Sequence, residues 1–205
     1  MVKIEINCHS SLKLINDKII YVDPFKINEN INDADIIFFT HDHYDHMSEE
    51  DIKKVIKADT LLVAPSSCLS KLNEFANEVL AVLPNMQYDI SGIKVETVPA
   101  YNINKNFHPR ENNFVGYIIT LDGLRYYIAG DTDITDENKN IKCDYALVPV
   151  GGTYTMTYEE AAQLINEMKP KVAIPTHYGS IVGSKEDGVN FSQLLDKSVE
   201  CKIFY

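Results

Sequence analysis

"FFTHDHYDH", residues 38–46, is the stretch on which the reading of this chain turns. Three histidines (His41, His43, His46) and two aspartates (Asp42, Asp45) crowd the end of the apolar run "DADIIFFT". That run is short and β-rich, which predicts a buried strand. Side chains alternate along a strand, so His41 and His43 face the same side where the chain is extended. Asp45 and His46 fall in the turn before "SEEDIKKVIK", which reads as a helix: Ser48 is the N-cap, acids fill the first turn and lysines follow. The chain has six histidines, and half of them lie in this one window. A solvated polar loop is the plain alternative, but that concentration points to metal ligation. Imidazole and carboxylate suit zinc, manganese or iron, and no thiolates are placed for a Cys-rich structural site.

Outward from the cluster, strand signals open the chain, with "VKIEIN", then "SLKLI" and "KIIYVD" around an Asn16-Asp17 turn. "TLLVA" predicts another buried strand, and "SSCLSKLNEFA" a second capped helix. Residues 79–98 return to strands, with Ser91-Gly92 as a turn. Residues 100–113 have no periodicity and read as a long loop, a type of segment that tends to be functional in compact domains. "FVGYIITL" and "LRYYIAG" flank Asp122-Gly123, a strong hairpin signal. "YALVPV" is a buried strand, "TYEEAAQLINEMKP" a helix with a Thr157/Glu160 capping box, and "KVAIPTHYG" a strand running into a polar loop. A final helix and strand close the chain. The order of hairpin strands, then strand-helix units, occurs twice, which suits two mixed sheets packed face to face with helices outside.

The 205 residues fit a single domain, 1–205, although two fused halves remain open. A net charge of −11 argues against nucleic-acid and anionic-membrane partners, so a small-molecule substrate is expected. No stretch is long enough to span a bilayer, and the start lacks a signal-peptide apolar core. The cysteines Cys8, Cys68, Cys143 and Cys201 are widely spaced and predict free thiols, hence a cytoplasmic location. A homo-oligomer is left open.

The pattern H-x-H-x-D-H after a buried strand, filled by His41, His43, Asp45 and His46, resembles the signature of the metallo-β-lactamase superfamily. "VDPF" (22–25), "GDTD" (130–133), "PVGGTYTM" (149–156) and "PTHYG" (175–179) follow in the order that family shows. Together they look like the UPF0173-like branch that includes the ascorbate-6-phosphate lactonase and many metal-dependent hydrolases. The resemblance implies an α/β, four-layer αββα sandwich and two divalent metal ions, with zinc first and manganese or iron as alternatives.

Carried over by motif, His41 and His43 resemble ligands of the first ion, Asp45 and His46 ligands of the second, Asp131 the carboxylate that bridges them, and His177 the last ligand of the second. Members usually carry a histidine just after the strand that here reads "KVETVPA", where this chain has Tyr101 and Asn102. His108, in "NFHPRENN", is the nearest unassigned histidine and is taken as the third ligand of the first ion, the alternative being a substrate or surface residue. His9, in "CHSS", resembles a substrate contact or proton donor, with a loop histidine as the alternative. Asp23 resembles an acid that orients a ligand histidine through its other ring nitrogen, or else forms a simple turn. Tyr101 and Tyr154 are candidates for substrate hydrogen bonds. The implied catalytic set is Asp45, Asp131 and His9, acting through a metal-bound hydroxide on a small ester, lactone or phosphoester. A phosphodiesterase or nuclease, a redox enzyme of the same fold and a non-catalytic metal-binding or ligand-sensing protein are the rival readings.

Overall fold

The computed structural model describes residues 2–75 and 77–205. The chain divides into two compact units, Met1–Leu83 and Pro84–Tyr205. Each contains one mixed sheet.

In the first unit the strands are β1 (Lys3–Cys8), β2 (Ser11–Ile15), β3 (Ile19–Val22), β4 (Ile36–Phe38), β5 (Leu61–Pro65) and β6 (Val79–Val82). They lie side by side in sequence order. The first three form an antiparallel meander, and β3 through β6 run parallel. The parallel part holds the short apolar runs: all three residues of β4 are buried. Parallel strands need crossovers, and here they include α1 (Glu49–Val55) and the short α2 (Leu69–Leu72). Ile52, Val55 and Leu72 from these helices share a core with Ile37, Phe39 and Leu62. Ser48 caps α1 through the Asp51 backbone N–H, as the sequence predicts. The second helix is much shorter than its predicted span of residues 66–76. A 3₁₀ turn covers Ser66–Cys68 and α2 stops at Leu72, while Ala76 lies outside the described residues. Cys68 and Leu72 are the only residues these turns bury, so little packing extends the helix past Asn73.

The second unit runs β7 (Gln87–Ile90), β8 (Ile93–Pro99), β9 (Val115–Leu121), β10 (Leu124–Ile128), β11 (Tyr145–Pro149), β12 (Val172–Thr176) and β13 (Glu200–Cys201). β7 to β10 are antiparallel neighbours, and β10 to β13 are parallel. The two hairpin turns are those the sequence marks, with positive φ at Ser91, Gly92, Asp122 and Gly123. α3 (Tyr158–Met168) starts at the Thr157/Glu160 capping box. It buries Ala161, Leu164, Ile165 and Met168, a stripe at helical spacing, in one core with Val148 and Phe191. Phe191 belongs to α4 (Lys185–Gln193), the final helix that the sequence predicts. The Ser184-x-x-Asp187 capping box marks that start. Among the described residues no cysteine forms a disulfide.

One buried carboxylate ties the segment after β3 to α1. Asp51 accepts the N–H groups of Lys26 and Ile27, both at 2.8 Å, and the Lys54 ammonium at 3.1 Å. Burial pushes its carboxyl up, but the bonds from Ser48, Lys54 and the two backbone groups outweigh this and leave it below its usual value. The stability Asp51 contributes is therefore complete above the unfolded carboxylate pKa of about 3.9 and is lost as pH falls through the lower folded value. Urea unfolding of Asp51→Asn at pH 3 and pH 6 should show a smaller difference between the two pH values than the wild-type protein does.

Candidate metal centre

Within each unit, candidate ligands stand just after parallel strands, the usual place for a site in such sheets. In the first unit β3 and β4 finish side by side, and their exits are stitched together by Asp23. The Asp23 N–H donates to the Phe38 carbonyl at 3.0 Å, and Asp23 Oδ1 accepts the Thr40 N–H at 2.8 Å. Asp23 Oδ2 accepts the Thr40 hydroxyl at 2.7 Å and pairs with His46 Nδ1 at 2.7 Å. Burial pushes the Asp23 carboxyl up, and His46 and Thr40 pull against that.

These bonds set the imidazoles. With Asp23 taking its Nδ1–H, His46 is left with Nε2 as its ligating nitrogen, on the side of Asp45 Oδ2 at 3.7 Å. The Thr40 hydroxyl gives its proton to Asp23, so toward His41 Nδ1, 3.0 Å away, it acts as acceptor. His41 then presents Nε2, which lies 3.1 Å from His43 Nδ1. The tight turn between β1 and β2 carries His9, fully buried, with Nε2 3.2 Å from Asp45 Oδ2. His9, Asp45 and His46 thus bring ligand atoms within 4.8 Å of one another. Tyr44, between the ligands, is 65% exposed, as expected for a residue directed away from them. The Asp42 carbonyl accepts the Lys71 ammonium at 2.9 Å, which ties the histidine loop to α2.

In the second unit Asp131 follows β10 and His177 follows β12, and both are almost completely buried. Asp131 Oδ2 lies 3.0 Å from His177 Nε2 and 3.3 Å from His108 Nε2. His108 is therefore brought into the buried cluster. Asn102 brings it there: its Oδ1 accepts both the backbone N–H of His108 at 3.0 Å and Nδ1 at 3.1 Å. The Asn102 N–H in turn donates to the His108 carbonyl at 2.8 Å. Asp133 pins the same loop, accepting the Ile103 N–H at 2.9 Å and the Lys105 ammonium at 2.6 Å. Thr40, Asn102 and Asp133 are the residues that motif reading passes over. Asn102 lies just after β8, in the segment where the resemblance implies a histidine, and that missing histidine was the available signal. Tyr101 does not serve as a free hydroxyl, because its OH donates to Glu137 at 2.8 Å.

His9, Asp23 and His177 have φ values of 60°, 48° and 56°, left-handed conformations that cost about 1–3 kcal/mol each away from glycine. Such strain is typical of functional positions. Gly151 makes room for one of them. A Cβ there would overlap the His177 carbonyl oxygen and approach Val182 Cγ2 to 2.9 Å. Gly151→Ala is expected to lower the melting temperature by about 5–10 °C, from an overlap of about 2–3 kcal/mol. Thermal unfolding followed by circular dichroism measures it.

The donor chemistry fits divalent ions. Two atoms about 2.0–2.1 Å from one tetrahedral zinc stand roughly 3.3 Å apart. The pairs His41–His43, His108–Asp131 and His177–Asp131 are spaced at 3.1, 3.3 and 3.0 Å. In His41, His46 and His108 the other ring nitrogen is held by an oxygen, as in ligating histidines generally.

Comparison with known proteins gives the class. The model of the beta-lactamase superfamily domain matches residues 3–177. The chain belongs to that superfamily, has the metallo-β-lactamase fold and is a metal-dependent hydrolase. A UPF0173 metal-dependent hydrolase of Thermoplasma acidophilum is 31% identical over 198 residues, 91% of this chain and 87% of the relative. One of Thermococcus onnurineus is 28% identical over 98% of this chain and 95% of its own length. Among solved structures, a protein from Parabacteroides distasonis, named as a metal-dependent hydrolase, superposes with TM-score 0.84 at 34% identity, covering 98% of this chain and 92% of that one. Among the described residues, no helix is long and apolar enough to cross a membrane.

Proposed function

We propose that this chain, as one domain, is a binuclear hydrolase that cleaves a small-molecule ester, lactone or phosphoester in the cytoplasm. The observation that carries it is the set of oriented imidazoles: Thr40, Asp23 and Asn102 each fix a histidine so that one defined nitrogen is left for a metal. By the family motif, His41, His43, Asp45 and His46 of the first unit and His108, Asp131 and His177 of the second would be the metal ligands. Zinc suits this nitrogen-rich set first, with manganese and iron as the alternatives. When bound, a pair of such ions lowers the pKa of water toward neutrality and stabilises charge on the substrate oxygen.

The protein's own groups then move protons. Asp45 takes the proton of the attacking water, and His9, 3.2 Å away, delivers one to the leaving oxygen. Water adds to the acyl or phosphoryl centre, the bond to the leaving oxygen breaks, and the products are an acid and an alcohol. Asp45 then passes the proton it gained to His9 across the 3.2 Å contact, which returns both groups to their starting states. The net charge of −11 supports a small substrate over a polynucleotide.

The test joins metal analysis to a hydrolase panel. Purified protein should hold about two ions per chain, and chelation should abolish cleavage until zinc or manganese is returned. His43→Ala should lose one ion and keep the melting temperature of the metal-free wild type. Full loading of His43→Ala, or a loaded protein that cleaves no ester, lactone or phosphoester, would overturn the proposal.

A further inference from the structure

The loop that carries His108 also carries apolar surface that the chemistry above does not use. Ile103 is 63% exposed and Phe107 47% exposed. The Phe107 ring meets Tyr154 edge-on, with centroids 4.6 Å apart at 82°. A single exposed apolar side chain needs no explanation. The Phe107–Tyr154 pair differs because one residue fixes it to the candidate ligand: Asn102 Nδ2 donates to the Tyr154 carbonyl at 3.0 Å while its Oδ1 holds His108. The aromatic pair and the imidazole are therefore anchored to one side chain.

The charges of the loop point the same way. Recognition of a phosphate or carboxylate by the loop itself, apart from any metal ion, calls for a side-chain cation available to it. The two cations of this loop are already held, Lys105 by Asp133 at 2.6 Å and Arg110 by Glu137 at 2.6 Å. The Arg110 guanidinium also lies over the Tyr101 ring at 4.8 Å. A few side chains are too small an area for a protein partner, which needs about 800 Å² on each side. They match the size of one alkyl or aryl group.

We infer that Phe107 and Tyr154 seat an uncharged alkyl or aryl portion of the substrate, so that the part of the substrate that meets this loop is apolar rather than phosphorylated. The inference rests on the hydrolase reading of the same site and selects among its substrates. The specificity residue with the greatest effect is Phe107, since it carries the exposed ring of the pair.

Two measurements test it. The first is the ratio of kcat/KM for p-nitrophenyl hexanoate over p-nitrophenyl acetate in the metal-loaded enzyme. Each buried methylene is worth up to about fourfold, so half-burial of the longer chain gives a ratio of about tenfold or more. Phe107→Ala should bring that ratio close to one, with metal content unchanged. The second is binding of N-hexylacetamide and of hexyl phosphate to chelated protein, read by tyrosine fluorescence, since the chain has 12 tyrosines and no tryptophan. The amide should bind more tightly than the phosphate, and Phe107→Ala should weaken the amide about tenfold. Amide binding that depends on Phe107 in a protein that hydrolyses nothing would keep the apolar seat and sink the hydrolase reading. Ester hydrolysis without a chain-length ratio, or tighter binding of hexyl phosphate, would overturn the inference and leave that reading standing.

Discussion

Asp131→Ala is expected to remove metal and activity together while leaving the fold intact. Asp131 Oδ2 is the common neighbour of His177 and His108, at 3.0 and 3.3 Å, and the residue is 3% exposed. A buried carboxylate held among imidazoles is costly without a cation to balance it. The metal-free Asp131→Ala protein should therefore melt at or above the temperature of metal-free wild type. Metal-loaded wild type should exceed both, because an ion that binds only the native state adds stability by mass action. Losing a proposed direct ligand should cost more than the 10–100-fold typical of an outer partner, on the order of 10³-fold in kcat/KM. Metal content by mass spectrometry, paired with calorimetry of both forms, checks it. Full metal content in Asp131→Ala would remove the residue from the ligand set.

How far the sequence reveals this protein depends on whether the deciding interaction is local. Ser48 and Glu160 act within one helical turn, so the starts of α1 and α3 are legible. Ser91-Gly92 and Asp122-Gly123 demand positive φ at adjacent residues, which few other pairs supply, so both hairpins are legible too. The strand runs after which Thr40, Asp131 and His177 stand are short and apolar, and parallel pairing aligns strand ends within each sheet, β3 with β4 in the first unit and β10 through β12 in the second. The motif order then supplies the ligand list as a resemblance.

His108 is the instructive exception. A histidine displaced from its family position by several residues looks incidental until Asn102 is seen bonding its backbone and its ring at once. That reciprocal pair spans a loop with no periodic pattern, and nothing in the spacing announces it. Asp133 and Thr40 escape for the same reason, since their roles are hydrogen bonds to partners chosen by tertiary structure. The overlong second helix shows the opposite error, where caps and composition suggest a span that burial does not support.

Asp23 carries the other large expected effect, and two substitutions separate its roles. It receives three hydrogen bonds in a fully buried place: from the Thr40 N–H, the Thr40 hydroxyl and His46 Nδ1. Asp23→Ala strands these donors, at about 1–3 kcal/mol each. Against a total stability of about 5–15 kcal/mol, that loss should leave much of the chain unfolded at 37 °C. Asp23→Asn keeps the volume, and asparagine tolerates the left-handed φ of 48° at this position. One amide oxygen can still accept the Thr40 N–H, but an NH₂ now faces His46 Nδ1 and can only donate to it. The imidazole must shift its proton to Nε2, the nitrogen a metal would need. Asp23→Asn should thus fold, with a melting temperature well above that of Asp23→Ala, yet bind metal about 10–100-fold more weakly than wild type. The Asp23→Asn ring should also show the Nε2–H tautomer in nitrogen-15 spectra of His46, the reverse of wild type. Wild-type metal affinity in Asp23→Asn would mean that Asp23 serves only the joint between β3 and β4, and that His46 is oriented by other means.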